Sequence, residues 1–218
     1  NTTNENKLLS SILNANKLII FDVGANIGNE IKKVKKILNK KISQIHVFEG
    51  NSETYKDLVK NFKDKNVHVN HMAIDNVKNK IKKKFYERTI NSHSSLKKEA
   101  IQNLENVKKV NLVNVQSLDG YCKKNKINKI HYLKIDTEGN DFNVLKSAKG
   151  LIKNKKIYLI KVEVYFYNKE FFFDSCFQEI NQYLKKSKYQ LISVSGLKFK
   201  NQKLLMCNLY YKLPKKIN

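Results

Sequence analysis

Leu18-Ile19-Ile20-Phe21-Asp22-Val23-Gly24-Ala25-Asn26-Ile27-Gly28 is a short apolar run that stops at an acid and then turns on glycines. A continuous run of this length reads as a strand buried on both faces, as in a parallel sheet. Residues 29–39 follow, with Ile31, Val34, Ile37 and Leu38 on one side and lysines between them. That pattern predicts a helix with one core face and one solvated face. Strand, glycine turn and helix in this order is the context that a nucleotide-binding loop needs.

The alternation continues outward. Ile45–Phe48, Val67–His71, Ile130–Ile135 and Tyr158–Val164 predict strands, and residues 54–62, 142–149 and 176–187 predict helices. In the first of these helices Tyr55, Leu58, Val59 and Phe62 are expected inward. Tyr121–Asn125 reads as a helical turn, and Leu8, Leu9, Ile12 and Leu13 as a short amphipathic helix that opens the fold. Lys80–Tyr86 and Val110–Val115 alternate apolar and polar residues, so they predict antiparallel or edge strands. The polar loop Asn91-Ser92-His93-Ser94-Ser95 lies between them. Residues 189–194 and 204–211 predict a closing strand pair. Strands separated by helices predict a right-handed, doubly wound α/β sheet. One domain over residues 18–218 is expected, behind a lead-in and helix over 1–17.

Composition narrows the function classes. The 218 residues suffice for one core, and 41% hydrophobic content with 11 Phe and 11 Tyr excludes a disordered chain. No stretch approaches the roughly 18 apolar residues of a spanning helix, so no membrane span is expected. The formal net charge is +24, yet 42 of the 43 basic residues are lysine and Arg88 is the only arginine. Lys, Asn and Ile together make up 92 residues, and they share A/T-rich codons, so the bias reads as genome composition spread over the chain. Surfaces that read bases or grip phosphates favour the planar fork of arginine. No specific nucleic-acid partner is therefore expected, only weak, salt-sensitive attraction to polyanions. Cys122, Cys176 and Cys207 lack metal-ligand spacing and read as free thiols of a reducing, cytoplasmic setting. The chain starts at Asn1 without a secretory-signal pattern, and it is expected to be trimmed or to be part of a larger polypeptide.

In an open α/β sheet, ligands sit at the carboxyl ends of the strands, where the strand order reverses. The residues expected there are Asp22, Gly24, Asn26, Gly28, Glu49, residues 72–75, Asp136, Glu138 and Glu163. A dinucleotide fingerprint fails, because alignment on Gly24 places Asn26 and Asn29 where glycines belong. No Gly-Lys-Ser/Thr phosphate loop is present. An acid just before the turn repels a diphosphate but suits a ligand ammonium, while Gly24 and Gly28 let the backbone approach closely. Glu49 offers two oxygens to paired ribose hydroxyls. A ligand with a ribose, an amino-acid tail and no phosphate is S-adenosylmethionine.

Five blocks carry a resemblance. They are Phe21–Gly28, His46–Glu49, Ser94-Ser95-Leu96, Val115–Asp119 and Leu133-Lys134-Ile135-Asp136-Thr137-Glu138-Gly139. Together, and in this order, they resemble the FkbM family of S-adenosylmethionine-dependent methyltransferases, from about residue 18 to Glu163. The resemblance implies a mostly parallel, seven-stranded Rossmann-like sheet with helices on both faces. It also implies O-methylation of a sugar, glycan or other small-molecule hydroxyl. An RNA methyltransferase and a non-catalytic binding domain are the alternatives. Where the family usually has Phe-Glu-Pro, this chain has Phe48-Glu49-Gly50, and its last 50 residues match no block.

Within that frame Ala73 is expected against the adenine, with Asp75 accepting from its exocyclic amine. An ordinary loop is the other reading of both. Asp136 is the first choice to touch the methionine part of the cofactor or to orient the acceptor. An alcohol acceptor needs a base, and Glu138 and His93 are the candidates. Glu138 pairing with a lysine, and Ser94 and Ser95 capping a turn, are the bland alternatives. Glu163 is expected to shape the acceptor pocket, and no metal is expected. Tyr165-Phe166-Tyr167 and Phe171-Phe172-Phe173 read as packing for a loop or a dimer contact, or else as a platform for sugar rings. A homodimer is thus a possible state.

Overall fold

The computed structural model describes residues 2–11, 15–88, 94–97, 107–166 and 176–214. The elements begin with α1 (Thr2–Ser10), β1 (Leu18–Val23), α2 (Asn29–Leu38), β2 (Ile42–Glu49), α3 (Ser52–Asn61) and β3 (Val67–His71). Next come β4 (Ala73–Ile74), β5 (Ile81–Arg88), β6 (Val107–Gln116), α4 (Leu118–Lys124), β7 (Ile130–Ile135), α5 (Asp141–Ser147) and α6 (Lys149–Lys153). The chain closes with β8 (Ile157–Tyr165), α7 (Phe177–Lys186), β9 (Gln190–Lys200) and β10 (Lys203–Lys212).

Among the described residues seven strands form one sheet in the order β3-β2-β1-β7-β8-β10-β9. The first five run parallel, and β10 runs antiparallel to both β8 and β9. The expected α/β fold, doubly wound and mostly parallel, is therefore present. Strand order reverses at β1, which has β2 on one side and β7 on the other. The crevice at the carboxyl ends of β1 and β7 is thus the place for a ligand.

Why β1, β7 and β8 are strands is clear from their burial. Every residue of β7 and β8 is buried, and Ile19 alone of β1 is not fully covered. On one face Leu18, Ile20, Tyr132 and Leu159 pack against Leu9 of α1, Ile31 and Val34 of α2, and Leu58 of α3. On the other, Phe21, Val23, Leu133 and Ile160 pack against α4–α7 through Tyr121, Val144, Ile152 and Ile180. Cys122 and Cys207 belong to this second core as free thiols, and Cys176 is a half-buried free thiol. Among the described residues no helix is long and apolar enough to cross a membrane.

Two expectations need correction. Val59 is 44% exposed, and Thr54 is buried in its stead. Asn51 accepts from the Glu53 and Thr54 N–H groups, both at 3.0 Å, and caps α3 at Ser52, while the inward stripe runs through Thr54, Leu58 and Phe62 at four-residue steps. The helix expected over 142–149 is two. Asp119 accepts from Gly150 N at 2.6 Å and Leu151 N at 3.0 Å, which starts α6 beyond Ala148. The alternating strands over 77–118 are antiparallel, as expected, with β5 paired to β6. They form a second sheet, β4-β6-β5, with Phe85, Val113 and Val115 as its own small core.

Candidate cofactor and catalytic cleft

Register builds the site. Phe48, Val23, Ile135 and Val162 align across four parallel strands. The next residues, Glu49, Gly24, Asp136 and Glu163, therefore stand in one row at the carboxyl edge of the sheet. A cleft opens above this row. Its apolar lining is Phe48, Met72, Ala73, Ile74, Phe85 and Leu96, and its polar lining includes Asn26, Glu49, Ser94, Asp136, Glu138 and Asn140.

The glycine turn is specified by close approach. Gly24 has φ +76, and a Cβ there would lie 1.8 Å from the Asp136 carbonyl oxygen. Only glycine lets the end of β1 lie against the end of β7. Asn26, at φ +49, donates its N–H to Glu49 Oε2 at 2.8 Å, and Asn51 N–H donates to Glu49 Oε1 at 2.7 Å. The Glu49 carboxylate is thereby fixed at the cleft, and burial pushes its pKa up against those two hydrogen bonds. Gly28 (φ +82) does not line the cleft. A Cβ there would strike Phe62, so its role is to seat α2 against α3.

Asp22 and Asp75 also depart from the sequence reading. Asp22 is buried beneath the cleft, and the ammonium beside it belongs to the protein: Lys134 Nζ lies 3.2 Å from Oδ1. Lys134 itself donates to the Gly24 carbonyl at 2.6 Å and stands 3.5 Å from Asp136 Oδ2. Burial drives the Asp22 pKa up, and Lys134 opposes it. Asp75 is turned into the second sheet, where it receives Lys83 Nζ at 2.6 Å and the Asn76 N–H at 2.7 Å, so it does not reach the cleft. Sequence reasoning missed Lys134. Its signal was a lysine inside a run that must be buried on both faces, which requires a partner.

The Asp136-Thr137-Glu138-Gly139 turn is tied down from below. Asp141 Oδ1 accepts from Thr137 N at 2.8 Å and from Thr137 Oγ1 at 3.1 Å, and Oδ2 accepts from Gly139 N at 3.2 Å. Ser95 Oγ donates to the Glu138 carbonyl at 2.9 Å. These bonds hold Glu138 at φ +50, a left-handed conformation uncommon for a non-glycine residue. Burial, with the charges of Asp136 and Asp141, pushes the Glu138 carboxyl up to about 8. Glu163 lies buried in the same row and accepts from Tyr165 OH at 3.1 Å. Burial first, then Asp136, Asp141 and Glu138, raise its pKa strongly. His93, Tyr167 and Phe171–Phe173 lie outside the described residues, whereas Phe166 stacks on Phe177 at 4.9 Å. Among the described residues no three His, Cys, Asp or Glu side chains are grouped as metal ligands.

The cleft suits an adenosyl amino acid by its donor set. A fixed carboxylate, an apolar slot and a second acid at Asp136 are present, and among the described residues no cationic side chain lines the cleft to match a phosphate. The profile of the family described as Methyltransferase FkbM domain matches residues 22–191. A search of curated proteins gives no match. Among solved structures, the methyltransferase FkbM from Methylobacillus flagellatus is similar at 16% identity and TM-score 0.55 over 90% of this chain. The chain spans 43% of the length of that protein. TrmK of M. capricolum, in complex with S-adenosyl-homocysteine, is similar at 10% identity and TM-score 0.51, over 95% of this chain and 68% of that one. This chain belongs to the FkbM family of methyltransferase domains.

Proposed function

We propose that the protein is an O-methyltransferase that acts on a hydroxyl of a sugar, glycan or glycoconjugate. The observation that carries this reading is Glu138: a carboxylate in the cleft lining, pushed up to about 8 and held in place by a strained turn. A base of that strength suits an alcohol, whose proton must leave as the new bond forms.

S-adenosylmethionine supplies an electrophilic methyl group when bound. Glu49 would hold its ribose hydroxyls with the lone pairs that the Asn26 and Asn51 N–H groups leave open. Ala73 and its apolar neighbours would hold the adenine. Asp136 would face the methionine part or orient the acceptor, and Gly24 leaves room for the ligand beside the backbone. Glu138 takes the proton of the acceptor, with His93 as the second candidate. Positioning of acceptor against methyl group supplies much of the acceleration in such a displacement.

Titration calorimetry with S-adenosylhomocysteine tests the site. Wild type is expected to bind, and Glu49→Gln to bind at least tenfold more weakly. No binding to wild type refutes the reading. Transfer of a radiolabelled methyl group to pools of sugar nucleotides and oligosaccharides, against total RNA as competitor, tests the acceptor class. Label that appears in RNA alone refutes the sugar reading.

A further inference from the structure

Glu5 lies on α1, outside the stretch that matches the family, yet it is built into the support of the cofactor turn. Its Oε1 stands 2.6 Å from Lys33 Nζ and 3.0 Å from Lys161 Nζ, and it accepts from Tyr210 OH at 2.5 Å. The same two lysines also reach Glu30 Oε2, at 3.1 Å and 3.0 Å, while Tyr132 OH donates to Glu30 Oε1 at 2.7 Å. Glu30 sits in the first turn of α2, immediately after the Gly24–Gly28 turn. Lys161 is the register partner of Lys134, the lysine that holds the Gly24 carbonyl.

We infer that Glu5 is a positioning residue for the cofactor: by sharing Lys33 and Lys161 with Glu30, it fixes the start of α2 and so the turn that receives the ligand. The physics is one of charge balance. With Glu5 present, two ammonium groups bridge two carboxylates in a largely buried site. Without its charge, both converge on the single Glu30 oxygen and repel one another, and one must withdraw. Withdrawal of Lys161 takes away a partner that holds Glu30, and the first turn of α2 moves with it. It also brings an uncompensated charge beside Lys134, in a region too poorly solvated to screen it. The geometry thus links α1 to the Gly24 carbonyl through Glu30 on one route and through adjacent strand lysines on the other.

The inference rests on the cleft being the cofactor site, and its test separates the two. S-adenosylhomocysteine affinity and the melting temperature are measured for the full chain, Glu5→Gln, Glu5→Asp and Ile180→Val. Ile180 is buried in the core on the opposite face, so its variant lowers the melting temperature without touching the network. Glu5→Gln is expected to weaken binding about five- to tenfold, a size typical of coupled neighbours in one network. Glu5→Asp is expected to restore part of the loss, and Ile180→Val to bind like wild type. If Glu5→Gln melts earlier but binds as tightly as wild type, α1 is only an anchor and the inference falls. Loss of binding in Ile180→Val equal to that in Glu5→Gln also overturns it, since stability alone would explain both. Absence of binding by the wild-type chain overturns the reading of the cleft itself.

Discussion

The ring of Phe85 occupies the space that a side chain on Gly50 would need: a Cβ there would lie 2.5 Å from Cε2 and 2.7 Å from Cζ. Gly50 does not have a positive φ, so the close approach of Phe85, not backbone conformation, demands glycine. Phe85 thereby brings the second sheet onto the cleft beside Glu49. Gly50→Ala is expected to lower both stability and S-adenosylhomocysteine affinity. Phe85→Leu in that background is expected to recover part of each. A double-mutant cycle over the four proteins checks this, because residues in direct contact give non-additive effects. Additive losses would show that the two side chains do not compete for space.

Lys134 is the cation on which the floor of the cleft depends. It is buried between Asp22 and Asp136 and holds the Gly24 carbonyl. Lys134→Met removes that hydrogen bond and leaves Asp22 buried without a cation. Breaking such a pair from one side costs about 3–5 kcal/mol. Denaturant unfolding of Lys134→Met is expected to show a loss of this order. The double variant Asp22→Asn/Lys134→Met is expected to be more stable than Lys134→Met alone, because no charge is then stranded. If the second substitution adds to the damage, the buried carboxylate is not the source of the cost.

The fold was legible in the sequence because its information is local. The run Leu18–Val23, the glycines after it and the lysine-spaced stripe of α2 each state their element without reference to the rest. Strand ends then located the cleft, and Gly24, Asn26, Glu49, Ala73, Asp136 and Glu138 all line it or its turns. What was not legible depends on contacts distant in sequence. Asp22 and Lys134 are 112 residues apart and meet only through the register of β1 on β7. Whether Asp75 faces a ligand or Lys83 is decided by how β5 folds over β6. Val59 failed because the inward stripe of α3 runs through Thr54, Leu58 and Phe62, and a polar residue at a buried position does not show in apolar periodicity. Glu5 lay in a polar lead-in with no pattern of its own, and only the packing of α1 against α2, β8 and β10 gives it partners.

Raised carboxyl groups predict an alkaline loss of stability. Glu138, and Glu163 in the same row, bind a proton more tightly folded than unfolded. The stabilisation from that proton is complete below the unfolded value of 4.5 and is lost as pH rises through the folded value, about 8 for Glu138. The melting temperature of wild type is expected to fall between pH 6 and pH 9. Glu138→Gln and Glu163→Gln, which cannot lose the proton, are expected to give flatter profiles. Differential scanning calorimetry at matched ionic strength checks the slopes. A wild-type profile as flat as that of either variant would contradict the prediction for that residue.

Asp141 offers a sharper test, since it acts on Glu138 in two separable ways. Its carboxylate accepts from Thr137 N, Thr137 Oγ1 and Gly139 N, and its charge helps to raise the Glu138 pKa. Asp141→Asn keeps the size and one acceptor oxygen but places an amide donor against a donor of the turn. A buried donor left without an acceptor costs about 1–3 kcal/mol, so the variant is expected to be destabilised by that order at pH 7. Removal of the negative charge lowers the Glu138 pKa, so the alkaline fall in stability is expected to move to lower pH. A loss of stability with no movement of that midpoint would mean that Asp141 holds the turn but does not tune the base. Movement of the midpoint without a loss of stability would mean the reverse. Because Glu138→Gln removes one titrating group, Asp141→Asn in that background is expected to lose stability and to show only the alkaline fall that belongs to Glu163.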